Sequence, residues 1–123
     1  MMEDILKNEG NKNDYTAGDA FFSCHVERAN SVISGKWKIL ILYQLSLHEF
    51  LRYSALKEEM GTVSEKMLIQ QLKELEKDGL VGKKVYAVSP PKVEYYLTQR
   101  GLGIIPVITA LRNWGCLLKH TAF

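Results

Sequence analysis

Apolar positions along this 123-residue chain change period in a definite order, and that order sketches a fold. From Phe21 to Ile33, Phe22, Val26, Ala29 and Ile33 keep the three- and four-residue spacing of one helix face. Ser34-Gly35 interrupts it. From Lys36 to Leu47 the spacing resumes through Trp37, Leu40, Ile41 and Leu45, which predicts a strongly apolar helix with its Trp in the core. His48 to Arg52 reads as a short strand or turn, and Tyr53 to Met60, with Leu56 and Met60 inward, as a short helix closed by Gly61.

The next stretch, Thr62 to Thr98, holds a helix, a turn and a two-stranded hairpin. Leu68, Leu72 and Leu75 mark the buried side of the helix. Thr62 with Glu65 has the form of a capping box and Ser64 is an alternative N-cap, while Gly79 suits a left-handed C′ position. Leu80, Val81, Val85 and Tyr86, then Val93, Tyr95 and Leu97, are β-prone runs parted by Ser89-Pro90-Pro91.

Beyond Thr98, which can cap the next helix, Leu102, Ile104, Ile105, Val107, Ile108, Leu111, Trp114, Leu117 and Leu118 are apolar on nearly every side. A helix of that kind must be covered all round, and one short protomer cannot do it. The pattern therefore predicts a homodimer built on this helix and the N-terminal one, with Pro106 kinking the former.

The side of the Thr62–Asp78 helix opposite Leu68 carries Lys66, Gln70, Lys73 and Lys77, with Ile69 on its flank and the acidic residues mostly off its centre. Lys contacts phosphate, Gln pairs two-pronged with an adenine edge, and an exposed aliphatic touches a thymine methyl. Lys83, Lys84 and Lys92 lie in or beside the hairpin arms, so a basic loop projects beside a basic helix. A groove-reading helix flanked by such a hairpin is the working surface of a winged helix-turn-helix. Arg52 is a further phosphate-contact candidate, and Ser64 and Glu65 at the helix start join the candidate DNA-binding set.

Charge distribution agrees with this assignment. Net charge is only +2, but residues 1 to 35 carry three Lys/Arg against six Asp/Glu, leaving 13 against eight for the remainder. With 46% hydrophobic and 24% charged residues the composition is that of an ordinary soluble domain. No apolar run approaches the ~20 residues of a membrane span and no basic-then-apolar leader opens the chain, so a cytoplasmic protein is expected.

Several ordered motifs resemble the HxlR-type bacterial regulators of the MarR-like winged-helix group. They are Gly35-Lys36-Trp37-Lys38 before Ile39-Leu40, Arg52-Tyr53 then Leu56, Ser64-x-Lys66-Met67-Leu68 with Gln70-Gln71-Leu72, and Leu75-Glu76-x-Asp78-Gly79-Leu80-Val81. Pro90-Pro91-x-Val93-Glu94-Tyr95-x-Leu97-Thr98-x-x-Gly101 completes the set, which spans roughly Cys24 to Trp114. The chain departs from the family at Ser34 (usually Gly), Thr62-Val63 (Gly-Ile), Ile69 (Thr) and Lys83 (Arg). The last two lie on the predicted DNA face, so a relative's operator sequence does not carry over to this chain.

The expected architecture is thus α+β and mostly helical: an N-terminal arm with a short helix over 1–20, a winged helix-turn-helix over 21–98, and a C-terminal dimerisation helix over 99–123. Two copies place their recognition helices roughly 34 Å apart on double-stranded DNA, which predicts an inverted-repeat operator. A repressor is favoured over an activator, because occluding a promoter needs only binding. The resemblance also implies a sensor at Cys24, since HxlR-like proteins commonly carry a Cys there and some sense quinones, aldehydes or hypochlorite-type oxidants. Its neighbours His25 and Arg28 would favour a thiolate, against the plainer reading of a packed cysteine. Cys116 and His120, one helical turn apart, could form half a metal site with Cys24 and His25, but no metal or other cofactor is assigned, nor any effector. No nucleophile elbow, P-loop, dinucleotide fingerprint or H-E-x-x-H is present, so an enzyme is not expected. The alternative is a winged-helix module that binds protein and not DNA.

Overall fold

The computed structural model describes residues 19–118. The expected short helix at Glu3 to Lys7, the arm around it, and His120 lie outside the described residues. Helix α1 (Asp19–Ile33) belongs to one unit, and the chain from Gly35 onward forms a second. In α1, Ser31 Oγ donates to the Arg28 carbonyl at 2.7 Å, and Cys24 is exposed.

In the second unit α2 spans Lys38–Ser46, β1 Leu51–Arg52, α3 Tyr53–Met60, α4 Glu65–Lys77, β2 Val81–Tyr86, β3 Lys92–Leu97 and α5 Ile105–Leu118, the last preceded by a 3-10 turn at Gly101–Ile104. Ile41, Leu42 and Leu45 of α2, Leu56 of α3 and Leu68, Leu72 and Leu75 of α4 are almost fully buried and make the core. Each such side chain contributes about 1.5–3 kcal/mol by leaving water. Helix α2 starts at Lys38 and not Lys36, because Gly35, at φ +131, bends the chain and accepts from the Lys38 N–H at 3.3 Å. Trp37 becomes the N-cap residue and is only half-buried, with Lys36 Nζ 4.8 Å from its ring centroid, and Leu40 is exposed. The expectation of a core Trp is corrected accordingly.

Gly61 closes α3 at φ 68 and Val63 turns inward. At the far end of α4, Leu80 N–H bonds to the Leu75 carbonyl and Gly79 N–H to that of Glu76, both at 3.0 Å, with Gly79 at φ 78. This is a Schellman stop, which pairs the Leu75 and Glu76 carbonyls as the chain turns toward β2.

The sheet is antiparallel in the order β1-β3-β2. Leu51 pairs with Tyr95, and Val81 through Tyr86 pair with Leu97 through Lys92. Tyr95 and Val81 hold the base of the hairpin against the core, while Val85, Lys83 and Lys84 are exposed toward its tip.

Thr98 joins the wing to the last helix. Its hydroxyl donates to the Gly79 carbonyl at 2.5 Å and accepts from Gly101 N–H at 3.0 Å. A Cβ on Gly101 would collide with the Leu80 carbonyl oxygen, so this crossing requires glycine. Pro106 does not kink α5, contrary to expectation. It stands in the first turn, where a missing N–H breaks no intrahelical bond. Within the described residues α5 buries Ile108 but leaves Val107, Leu111, Trp114 and Leu117 exposed. The run Gly101–Leu118, at mean hydropathy 1.4, is long and apolar enough by composition alone to cross a membrane. The expectation that no stretch approaches that length is corrected here, since the 3-10 turn and α5 add up end to end.

Candidate nucleic-acid interface

Helix α4 is anchored on one side and open on the other. Ser64 Oγ accepts from Met67 N–H at 3.1 Å, so the cap is Ser64 and not the Thr62–Glu65 box. Glu65 lies instead toward Tyr53, whose pKa is raised first by burial and then by that carboxylate. The core side holds Leu68, Gln71, Leu72 and Leu75. On the open side Lys66, Ile69, Gln70, Lys73, Glu74 and Lys77 line a shallow depression of about 510 Å³.

A second concavity, of about 330 Å³, separates α4 from the hairpin. It gathers Arg52, Ile69, Lys73, Lys83 and Lys92 from four elements, with Tyr53 and Glu76 among its other walls. Ile69 and Lys73 border both hollows, making one continuous surface across helix and wing.

These cations are not equivalent. Lys83 Nζ is 3.7 Å from Glu76 and Lys92 Nζ 3.5 Å from Glu94. Among the described residues Arg52, Lys66 and Lys73 form no ion pair and keep their charge for a ligand. Lys84 and Lys92 lie over the Tyr86 ring at 5.1 and 4.6 Å from its centroid. The Tyr86 hydroxyl donates to Glu94 at 2.8 Å, and that bond, ahead of Lys92, lowers the Glu94 pKa. The wing lysines are therefore held by the Tyr86 ring or by a carboxylate, while Lys66 and Lys73 on the helix have no ion-pair partner among the described residues.

Of the candidate residues, then, five share the cleft, Lys66 and Gln70 lie with Ile69 and Lys73 on the outer helix face, Ser64 and Glu65 mark the helix start, and Lys84 borders the wing tip. Cys24 belongs to the other unit. Sequence reading missed the part of Glu74, placed among the acidic residues mostly off the centre of the face, and of Lys38, named only within the family motif. Lys38 is 4% exposed on α2 and its Nζ lies 2.7 Å from Glu74 Oε1. Glu74 Oε2 accepts from Gln70 Nε2 at 3.3 Å. The Lys38 bond first, then that of Gln70, lowers the Glu74 pKa. The four-residue spacing of Gln70 and Glu74 was a visible signal; the burial of Lys38 left none. Among the described residues no cluster of three metal-ligating side chains exists.

A capped helix with its outer face bare, set beside a basic hairpin on a three-stranded sheet, defines a winged helix-turn-helix of the MarR-like kind. Residues 32–121 match the HxlR-like helix-turn-helix family, and the chain belongs to it. It is a transcriptional regulator of HxlR/MarR type. It is 47% identical over 94 residues to the HTH-type transcriptional regulator YkvN of Bacillus subtilis, covering 76% of this chain and 79% of that one. Among solved structures it is similar to the redox regulator HypR in its oxidized form, with TM-score 0.70, 38% identity and coverage of 75% and 94%. It is also similar to diamide-treated YodB from B. subtilis, with TM-score 0.62, 32% identity and coverage of 74% and 89%.

Proposed function

We propose that this chain is a homodimeric repressor that binds an inverted-repeat operator in double-stranded DNA through α4 and the hairpin. One observation carries the reading: among the described residues Arg52, Lys66 and Lys73 stand without ion-pair partners on one surface with Gln70 and Ile69. Cations contact phosphates, while the amide and the aliphatic side chain read base edges. The same role assigns the protein to the cytoplasm, where the DNA is. Replacing Lys66, Gln70 and Lys73 together by Ala abolishes operator binding and leaves the dimer intact. Unchanged DNA binding in that triple variant refutes the reading and favours a protein-binding module.

The bare apolar side of α5 supports the dimer, with Trp114 60% and Leu117 66% exposed on the single chain. A two-fold pairing would cover it. Trp114→Asp should yield monomers in sedimentation velocity, and a dimer that persists would remove α5 from the interface.

Cys24 is a free, exposed thiol, and the similar structures of HypR and YodB are those of a redox regulator and a diamide-treated protein. On this basis Cys24 senses oxidants or electrophiles. Diamide or methylglyoxal should release operator DNA from the wild type and not from Cys24→Ser; equal release from both excludes Cys24 as the sensor.

A further inference from the structure

Lys38 is the one charged side chain buried among the described residues, its side chain only 5% exposed. A buried cation is costly unless paired, and its ion-pair partner is Glu74 at 2.7 Å. Because Glu74 spends its second oxygen on Gln70 Nε2, the three side chains form a chain from the core to the open face of α4. An i,i+4 pair alone on an exposed helix is weak and mobile. Here the buried ammonium holds the carboxylate in place.

A carboxylate only accepts, so the amide beside it must turn its NH₂ group inward. That leaves the Gln70 Oε1 and its second N–H directed outward in a set order, the acceptor and donor that the N6 and N7 of adenine require. Rotating the amide by half a turn would bring Oε1 against a carboxylate oxygen.

We propose that Lys38 and Glu74 are positioning residues that fix the orientation of the Gln70 amide and thereby set which base pair it accepts. The inference rests on the reading of α4 as the groove-facing helix. Its signature is a preference ratio between base pairs, since a change of charge alters affinity for all sequences alike.

The test uses the full-length chain and the variants Gln70→Ala, Glu74→Gln and Lys38→Met. Each enriches duplexes from a randomised pool, and competition assays then compare all four base pairs at every site position. Gln70→Ala should flatten the preference at one base pair per half-site by about tenfold. Glu74→Gln and Lys38→Met should flatten that same pair and no other. Glu74→Gln is nearly isosteric at a half-exposed position, so it decides the matter should Lys38→Met unfold in a thermal melt. Retention of the preference by Glu74→Gln overturns the proposal, as does an equal loss at every position, which would mark a displaced helix. Should Gln70→Ala change nothing, the proposal falls and operator binding stands; a wild type that enriches no sequence overturns both.

Discussion

Replacement of Lys73 by Ala separates a phosphate contact from a structural one. Lys73 is exposed where the two hollows meet and has no ion-pair partner among the described residues, whereas Lys83 and Lys92 lie 3.7 and 3.5 Å from carboxylates. In the proposed dimer the change removes two phosphate-neutralising charges. Each contact adds about 0.9 to the slope of log K against log salt, so the variant's slope is shallower by about 1.8. The same relation makes its binding about 60-fold weaker at ~0.1 M salt, converging on the wild type near ~1 M. Lys83→Ala, which removes an already neutralised charge, changes the slope less. Fluorescence anisotropy on an operator duplex between about 50 and 400 mM KCl reads both quantities. An unchanged slope, or a loss of affinity equal at every salt concentration, would falsify the assignment of Lys73 to a phosphate.

Leu72 is fully buried on the core side of α4, so Leu72→Ala should cost about 2–5 kcal/mol in urea unfolding, and a loss below ~1 kcal/mol would contradict the packing. Ser64→Ala removes the α4 cap and should cost about 1 kcal/mol, while Ser64→Gly costs only a few tenths; equal losses would mean that the Met67 N–H bond contributes nothing. Glu74 and Glu94 have folded pKa values below the ordinary 4.5, so their stabilisation is complete above that value and lost as pH falls through the folded ones. The urea midpoint should therefore drop more steeply for the wild type than for Glu74→Gln/Glu94→Gln between about pH 5 and 3, and parallel curves would speak against both pairs.

Local order along the chain was readable without coordinates. The helix of Tyr53–Met60, the inward leucines of α4, the Gly79 stop and the hairpin arms each follow from a period or a turn residue acting over a few positions. Those signals survive in one dimension because backbone hydrogen bonds and side-chain direction repeat every two or 3.6 residues. The motif string from Gly35 to Gly101 was sufficient to indicate the family as well.

What needed three dimensions was the company each side chain keeps. Nothing local distinguishes Lys38, buried against Glu74, from Lys36, which lies over Trp37. Pro106 reads as a kink until the 3-10 turn ahead of it moves the start of α5 to Ile105. The pairing of β1 with β3 brings Arg52 to the wing, and only that closure places it in one cleft with Lys73 and Lys83. Burial and electrostatic pairing depend on segments tens of residues apart. A pattern confined to one segment carries the face of a helix, and the packed chain alone decides which charges on that face stay unpaired for DNA.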